Sequence, residues 1–109
     1  VKIPEDALIP DDKITRYLLV QKVRNDKSKF LAKAGFTIDN PEVLRSAIQA
    51  IAGAGDAIED RSNEYGVFYQ VVGELVGTND VSLSVVTIWL QRQLDGKFQF
   101  VTLKPLKET

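Results

Sequence analysis

The hydrophobic period of this chain changes once, and that change fixes its class. Between residues 43 and 51 the apolar positions Leu44, Ala47, Ile48 and Ile51 recur at helical spacing, with Val43 broadening the stripe. Asp39-Asn40-Pro41-Glu42 reads as a helix start, with Asn40 as cap and Pro41 at the first helical position. Gly53 and Gly55 read as its end. Beyond them the period is 2. Ala57 to Arg61 reads as an edge strand. Tyr65 to Val76 reads as a long strand, with Val67, Tyr69, Val71 and Leu75 on one side and Phe68, Val72 and Val76 on the other. Gly73 within it signals a bulge or a close approach. Gly77-Thr78-Asn79-Asp80 is a turn, Leu83 to Gln91 a strand rich in β-branched residues, Asp95-Gly96 a hairpin signal, and Lys97 to Lys104 a last strand ending at Pro105. Helices followed by strands predict an α+β fold, with N-terminal helices packed on one face of a three- to four-stranded antiparallel sheet.

The N-terminal third is less regular. Residues 1–12 carry Pro4 and Pro10 and read as an extended arm ahead of a single α+β domain over 13–109. Asp11 or Asp12 is placed to cap a short helix from Lys13. Ile14, Tyr17, Leu18 and Val20 fit a short helix or a strand equally well. Arg24-Asn25-Asp26 reads as a turn, and Asp26 as the cap of a helix from Lys27 to Ala34. Phe30 and Leu31 would face inward, Gly35 would stop that helix in a left-handed cap, and Phe36 would pack back. A chain of 109 residues with 44% hydrophobic content is one domain with one core. There is no Cys, which excludes disulfides and thiol chemistry, and no His, which removes the usual near-neutral acid/base and the commonest metal ligand. Carboxylate-held magnesium is the one metal chemistry left open; neither a metal site nor a cofactor is expected. No apolar run reaches the length of a membrane span, and the acidic, proline-bearing start does not read as a signal peptide, so a cytoplasmic location is the expectation.

Charge is unevenly distributed. Residues 13–33 hold seven Lys or Arg and one Asp, a net of +6, whereas 39–60 reads −4 and the whole chain −1. This asymmetry points to RNA or an acidic protein surface as partner. Lys22, Arg24, Lys27, Lys29 and Lys33 gather around a turn and the first turns of a helix, a candidate phosphate-binding corner; the alternative is a solvated surface balancing the acidic stretch, or packed against it. Asp60-Arg61-Ser62-Asn63-Glu64-Tyr65-Gly66 is a polar loop. In it Glu64 is a candidate base, Arg61 a phosphate clamp and Tyr65 a stacking or proton-transfer group; the alternative is an ordinary turn. In the next strand Val86, Ile88 and Leu90 alternate with Val85, Thr87 and Trp89. If the first set faces the helices, then Thr87 and Trp89, with Thr102 beside them, form a platform for a nucleobase. If the second set does, Trp89 packs the core.

A resemblance covers roughly residues 13–105. It rests on KITRYLL from Lys13, DKSKFLAKAGF from Asp26, NEYG from Asn63, VTIW from Val86 and FVTLKP from Phe100. These strings resemble a family of small bacterial domains of unknown function, frequent in cyanobacteria, with related forms at the C-terminal ends of long secreted toxins. The element order also resembles the fold shared by barnase, the EndoU-type nucleases and the RelE-type toxins. That resemblance implies metal-independent RNA cleavage by one half of a toxin–antitoxin pair. The matching positions are Lys13, Lys29, Tyr65, Thr87, Trp89 and Thr102. The roles it implies are phosphate binding by Lys29 or Lys22, Glu64 as base, Tyr65 as acid or stacking group, and Thr87 or Thr102 on a phosphate oxygen. Related toxin domains often carry a His near the position of Lys22, where this chain has Lys. The alternatives are a non-catalytic, antitoxin-like interaction protein, whose paired charge blocks could also dock a homodimer, and a catalytically dead RNA-binding relative.

Overall fold

The computed structural model describes residues 2–14, 19 and 28–106. Two helices, α1 (Ser28–Ala32) and α2 (Pro41–Ala54), precede a four-stranded antiparallel meander: β1 (Ile58–Asn63), β2 (Gly66–Val76), β3 (Ser82–Arg92) and β4 (Phe98–Pro105), in that spatial order. The fold is α+β, and the expected strands are present to within a residue or two of their predicted limits.

Local chemistry explains the boundaries. Gly35 adopts φ +87 behind α1, and the Phe36 N–H reaches back to the Leu31 carbonyl at 3.2 Å, the left-handed stop the sequence predicts. A Cβ at Gly35 would also collide with the Thr78 hydroxyl, so this position excludes a side chain twice over. Pro41 opens α2 as expected. Asn40 holds the cap position, but its side chain turns backward: its Oδ1 accepts from the Thr37 N–H at 2.9 Å instead of from a helix N–H. The helix also runs through Gly53, and Gly55 is the terminating residue.

The core is built where α2 meets the sheet. Leu44, Ile48, Ile51 and Ala52 are the buried face of α2. Ile51 lies directly on Gly73 of β2; a Cβ there would sit 2.9 Å from the Ile51 Cγ2. Gly73 therefore marks a close approach and not a bulge, and it pairs in register with Val85. Val71 and Leu75 of β2, Val85, Thr87 and Trp89 of β3, and Phe100 and Leu103 of β4 are all buried. The N-terminal segment joins this core: Ile3 and Ile9 are buried, and Leu8 pairs in parallel with Gln99, its N–H on the Phe98 carbonyl and its carbonyl taking the Phe100 N–H.

The orientation of β3 decides between the two readings of Trp89. Val71 pairs with Thr87 and Tyr69 with Trp89, so these residues share the face of β2 that carries Gly73 toward α2. Both Thr87 and Trp89 have zero exposure, which overturns the exposed-platform arrangement. An irregularity in the β3–β4 ladder between Ile88 and Trp89 shifts the register, so Thr102 pairs with Ile88 on the other face.

Candidate functional site

Residues directly opposite on antiparallel strands point to the same side, so the register maps the second face of the sheet, away from α2. One row reads Arg61, Phe68, Leu90 and Gln99; the next Ile58, Gln70, Ile88 and Thr102; the next Val72, Val86 and Lys104. Val86 is buried, and the rest of these side chains are half-buried or exposed. The β1–β2 register shifts between Glu59 and Arg61, which keeps both Ile58 and Arg61 on this face despite their odd spacing. As a result the Arg61 guanidinium lies over the Phe68 ring, 5.1 Å from its centroid. The face combines an aromatic ring, two amides, a hydroxyl and two cations with aliphatic ground.

Glu64 and Tyr65 occupy the turn at one end of this face. The turn is shaped by Asn63, whose side-chain oxygen accepts from the Tyr65 N–H at 2.8 Å, and it is tied to the β3–β4 loop by the Gln93 N–H donating to the Tyr65 carbonyl at 2.9 Å. Both residues are exposed, Tyr65 to 65%. In the neighbouring loop Arg92 pairs with Asp95 at 2.8 Å, and Gly96 turns with φ +71.

Lys29 is elsewhere. It is exposed on α1, beside Phe36, Thr37 and Ile38. The end of α1 is fastened to the β2–β3 turn: the Ala34 carbonyl accepts from the Thr78 N–H at 2.9 Å and the Lys33 carbonyl from the Asn79 side chain at 3.0 Å. Glu64 and Tyr65 lie at the opposite end of β2, whose 11 residues span about 33 Å. The structure therefore does not assemble Lys29, Glu64, Tyr65 and Thr87 into one site. It does bring Arg61 together with Phe68, and it places Thr102 one row further on. Lys13 is half-buried next to Ile14, close to the ion pair between Asp11 and Arg45. Lys22 and Arg24 lie outside the described residues.

Trp89 and Thr87 serve the core. The indole N–H donates to Thr87 Oγ1 at 2.9 Å, and that hydroxyl donates to the Val71 carbonyl at 2.9 Å. Phe100 meets the indole edge-on at 5.4 Å. Phe68 is the site residue that sequence reasoning missed. Its signal was available, since it alternates out of phase with Val67, Tyr69 and Val71, but its partnership with Arg61 depends on the irregularity in β1. Among the described residues no group of three or more Asp or Glu is arranged to hold a metal, and no helix is long and apolar enough to cross a membrane.

The fold and this face define a small α+β domain with a mixed basic and aromatic sheet surface. The chain belongs to a family described as a domain of unknown function, DUF6883, whose model matches residues 2–107. No curated protein sequence matches it. Among solved structures it is similar to a chain of a contact-dependent growth inhibition toxin–immunity protein complex from Klebsiella pneumoniae 342. The TM-score is 0.63 and the identity 14%, over 94% of this chain and 96% of that one. At that identity the likeness is one of fold.

Proposed function

We propose that the chain is the RNA-directed toxin of a toxin–immunity pair, a metal-independent ribonuclease-like domain that works on the second face of its sheet. The observation that carries the reading is the Arg61 guanidinium over the half-buried Phe68 ring, with Thr102 and Lys104 on the same face and Glu64 and Tyr65 at its end. An aromatic ring beside a cation suits a base and its phosphate. Arg61 holds the phosphate nearest Phe68; Lys104, on the opposite edge strand, meets the RNA several nucleotides further along, and Thr102 contacts a phosphate oxygen between them. Glu64 takes the proton from the 2′-hydroxyl as O2′ attacks phosphorus, and Tyr65 protonates the departing 5′-oxygen. The products are a 2′,3′-cyclic phosphate and a free 5′-hydroxyl. The similarity in fold to a chain of a toxin–immunity complex supports a cognate protein partner. The exposed Ile58, Val72 and Val76 give that partner apolar ground on the same face.

The second reading is an immunity-like, non-catalytic role. It is favoured by the complete absence of His and by a net charge of −1, both poorly suited to a dedicated nuclease. One experiment separates the two. Total cellular RNA is incubated with the purified chain in EDTA, with Arg61→Ala alongside. Fragments ending in cyclic phosphate from the wild type, lost in the variant, are expected. Intact RNA from both folded proteins sinks the nuclease reading in favour of the partner role.

A further inference from the structure

Both outer strands of the sheet are blunted against further pairing. β1 is irregular between Glu59 and Arg61 and carries Glu59 and Asp60 at that point. β4 takes Leu8 against its first residues and ends at Pro105. The second half of β2 is not blunted. Its pairing with β1 stops at Gln70, opposite Ile58, while its pairing with β3 continues in unbroken register to Val76. Val72–Val76 is therefore a sheet edge of its own, with neither proline nor bulge.

The phase of the ladder fixes which groups face outward. The Gly77 N–H donates to the Val81 carbonyl at 2.9 Å and the Gln93 N–H to the Tyr65 carbonyl at 2.9 Å, so the odd-numbered residues of β2 turn their backbone groups toward β3. The N–H and C=O groups of Val72, Glu74 and Val76 then point away from β3, and no backbone group among the described residues meets them. They open beside α2, where Ala50, Ala54 and Gly55 put only small groups next to the edge. The side chains of Val72, Glu74 and Val76 are exposed on the second face, and Glu74 pairs with no cation among the described residues.

We propose that this edge receives one extended strand of a partner protein, antiparallel to β2 and continuing the line of β1, with a Lys or Arg opposite Glu74 and branched apolar residues opposite Val72 and Val76. The residues between them, opposite Gly73 and Leu75, turn toward α2 and must be small. Main-chain hydrogen bonds supply the affinity and the alternating side chains the specificity. Charge selects the occupant. Glu74 is joined on this side of the sheet by Glu59 and Asp60 of β1, so a basic strand is attracted and an acidic one repelled. A second copy is the poorer occupant, because two copies pairing Val72–Val76 about a two-fold axis set Glu74 directly opposite Glu74. Such a strand requires a protein partner, as in the toxin–immunity reading, and none of the nuclease chemistry.

The test uses a synthetic peptide, TVSKSVT with blocked ends, titrated into the full ¹⁵N-labelled chain. Saturable shifts of the Val72–Val76 amides are expected in the ¹H–¹⁵N spectrum, with Kd below about 1 mM. The same peptide with Glu in place of Lys should bind about five-fold more weakly, and Glu74→Lys, at an exposed strand position, should reverse that order. N-methylation of the peptide's Lys removes a donor from the new ladder and should weaken binding at least about ten-fold. The proposal is overturned by the lack of a saturable shift up to about 5 mM, by equal binding of the Lys and Glu peptides, or by undiminished binding of the N-methylated one. Shifts of the same amides with protein concentration alone would give the edge to a second copy and overturn it equally. Because the readout is the amides of β2 and not RNA cleavage, its failure is independent of the nuclease reading.

Discussion

Trp89 donates its indole N–H to the hydroxyl of Thr87, two residues away on the same face of β3, and Thr87 passes the interaction on to the Val71 carbonyl of the next strand. The largest side chain of the core is thus accommodated without an unpartnered polar atom, because a threonine stands where packing alone would accept valine. A buried donor that loses its acceptor costs about 1–3 kcal/mol. Thr87→Val keeps the shape and removes the acceptor, so it is expected to lower unfolding free energy by about that amount with an unchanged denaturant slope. Urea unfolding followed by Trp89 fluorescence measures it. A variant as stable as the wild type would show that the hydrogen bond adds nothing beyond burial.

Ile51 of α2 packs onto Gly73 of β2. Gly73→Ala places a methyl 2.9 Å from the Ile51 Cγ2, at a point where strand and helix are both anchored. Overpacking of this kind costs about 1–3 kcal/mol. Ile51→Ala removes the Cγ1 and Cγ2 that crowd this space, so Gly73→Ala should cost less in that background, giving a favourable coupling energy of at least about 0.5 kcal/mol in a double-mutant cycle. Strict additivity of the two substitutions would mean that the helix simply moves away and that the contact does not set the spacing.

Gly35 carries two demands that can be separated. Its φ of +87 costs an L-residue about 1–2 kcal/mol, and a Cβ there also meets the Thr78 hydroxyl. Gly35→Ala is expected to destabilise by more than the conformational term alone. In a Thr78→Ala background the penalty should shrink toward that term. Thermal unfolding of the four proteins decides, and an identical penalty in both backgrounds would assign the whole cost to the backbone.

These contacts also show where the sequence was legible. Strand limits follow from local alternation and from turn residues such as Asn79-Asp80 and Asp95-Gly96, whose preferences do not depend on the rest of the chain. The start of α2 at Pro41 and the stop at Gly35 are local for the same reason. The orientation of β3 was not local. Val86, Ile88 and Leu90 are as apolar as Val85, Thr87 and Trp89, so alternation alone could not choose a face. The choice is made by pairing with β2, where Gly73 clears the ground for Ile51. Gly73 was in fact the usable signal, because its own register assigns Val71, Val85 and Thr87 to the helix side. The predicted site residues are dispersed for a longer-range reason. Lys29 and Glu64 looked compatible in type, but the 11 residues of β2 stand between the elements that carry them. Arg61 and Phe68 became neighbours through an irregularity in β1 that no residue type announces.

That separation gives the sharpest test of where RNA is handled. Arg61 and Phe68 lie on the second face, whereas Lys29 lies at the far end of the sheet, fastened to the β2–β3 turn through the end of α1. If the second face holds RNA, Arg61→Ala should weaken binding at every salt concentration and reduce the slope of log K against log salt by about one phosphate contact. Phe68→Ala should cost about 1–3 kcal/mol of affinity while leaving that slope unchanged, because stacking releases no counterion. Lys29→Ala should alter neither by more than a nonspecific surface charge would. Fluorescence anisotropy with a short labelled single-stranded RNA, across a salt series, reads all three. The reverse pattern, with Lys29→Ala reducing the slope and Arg61→Ala silent, would move the RNA site to the basic block around α1 and leave the second face to the partner protein.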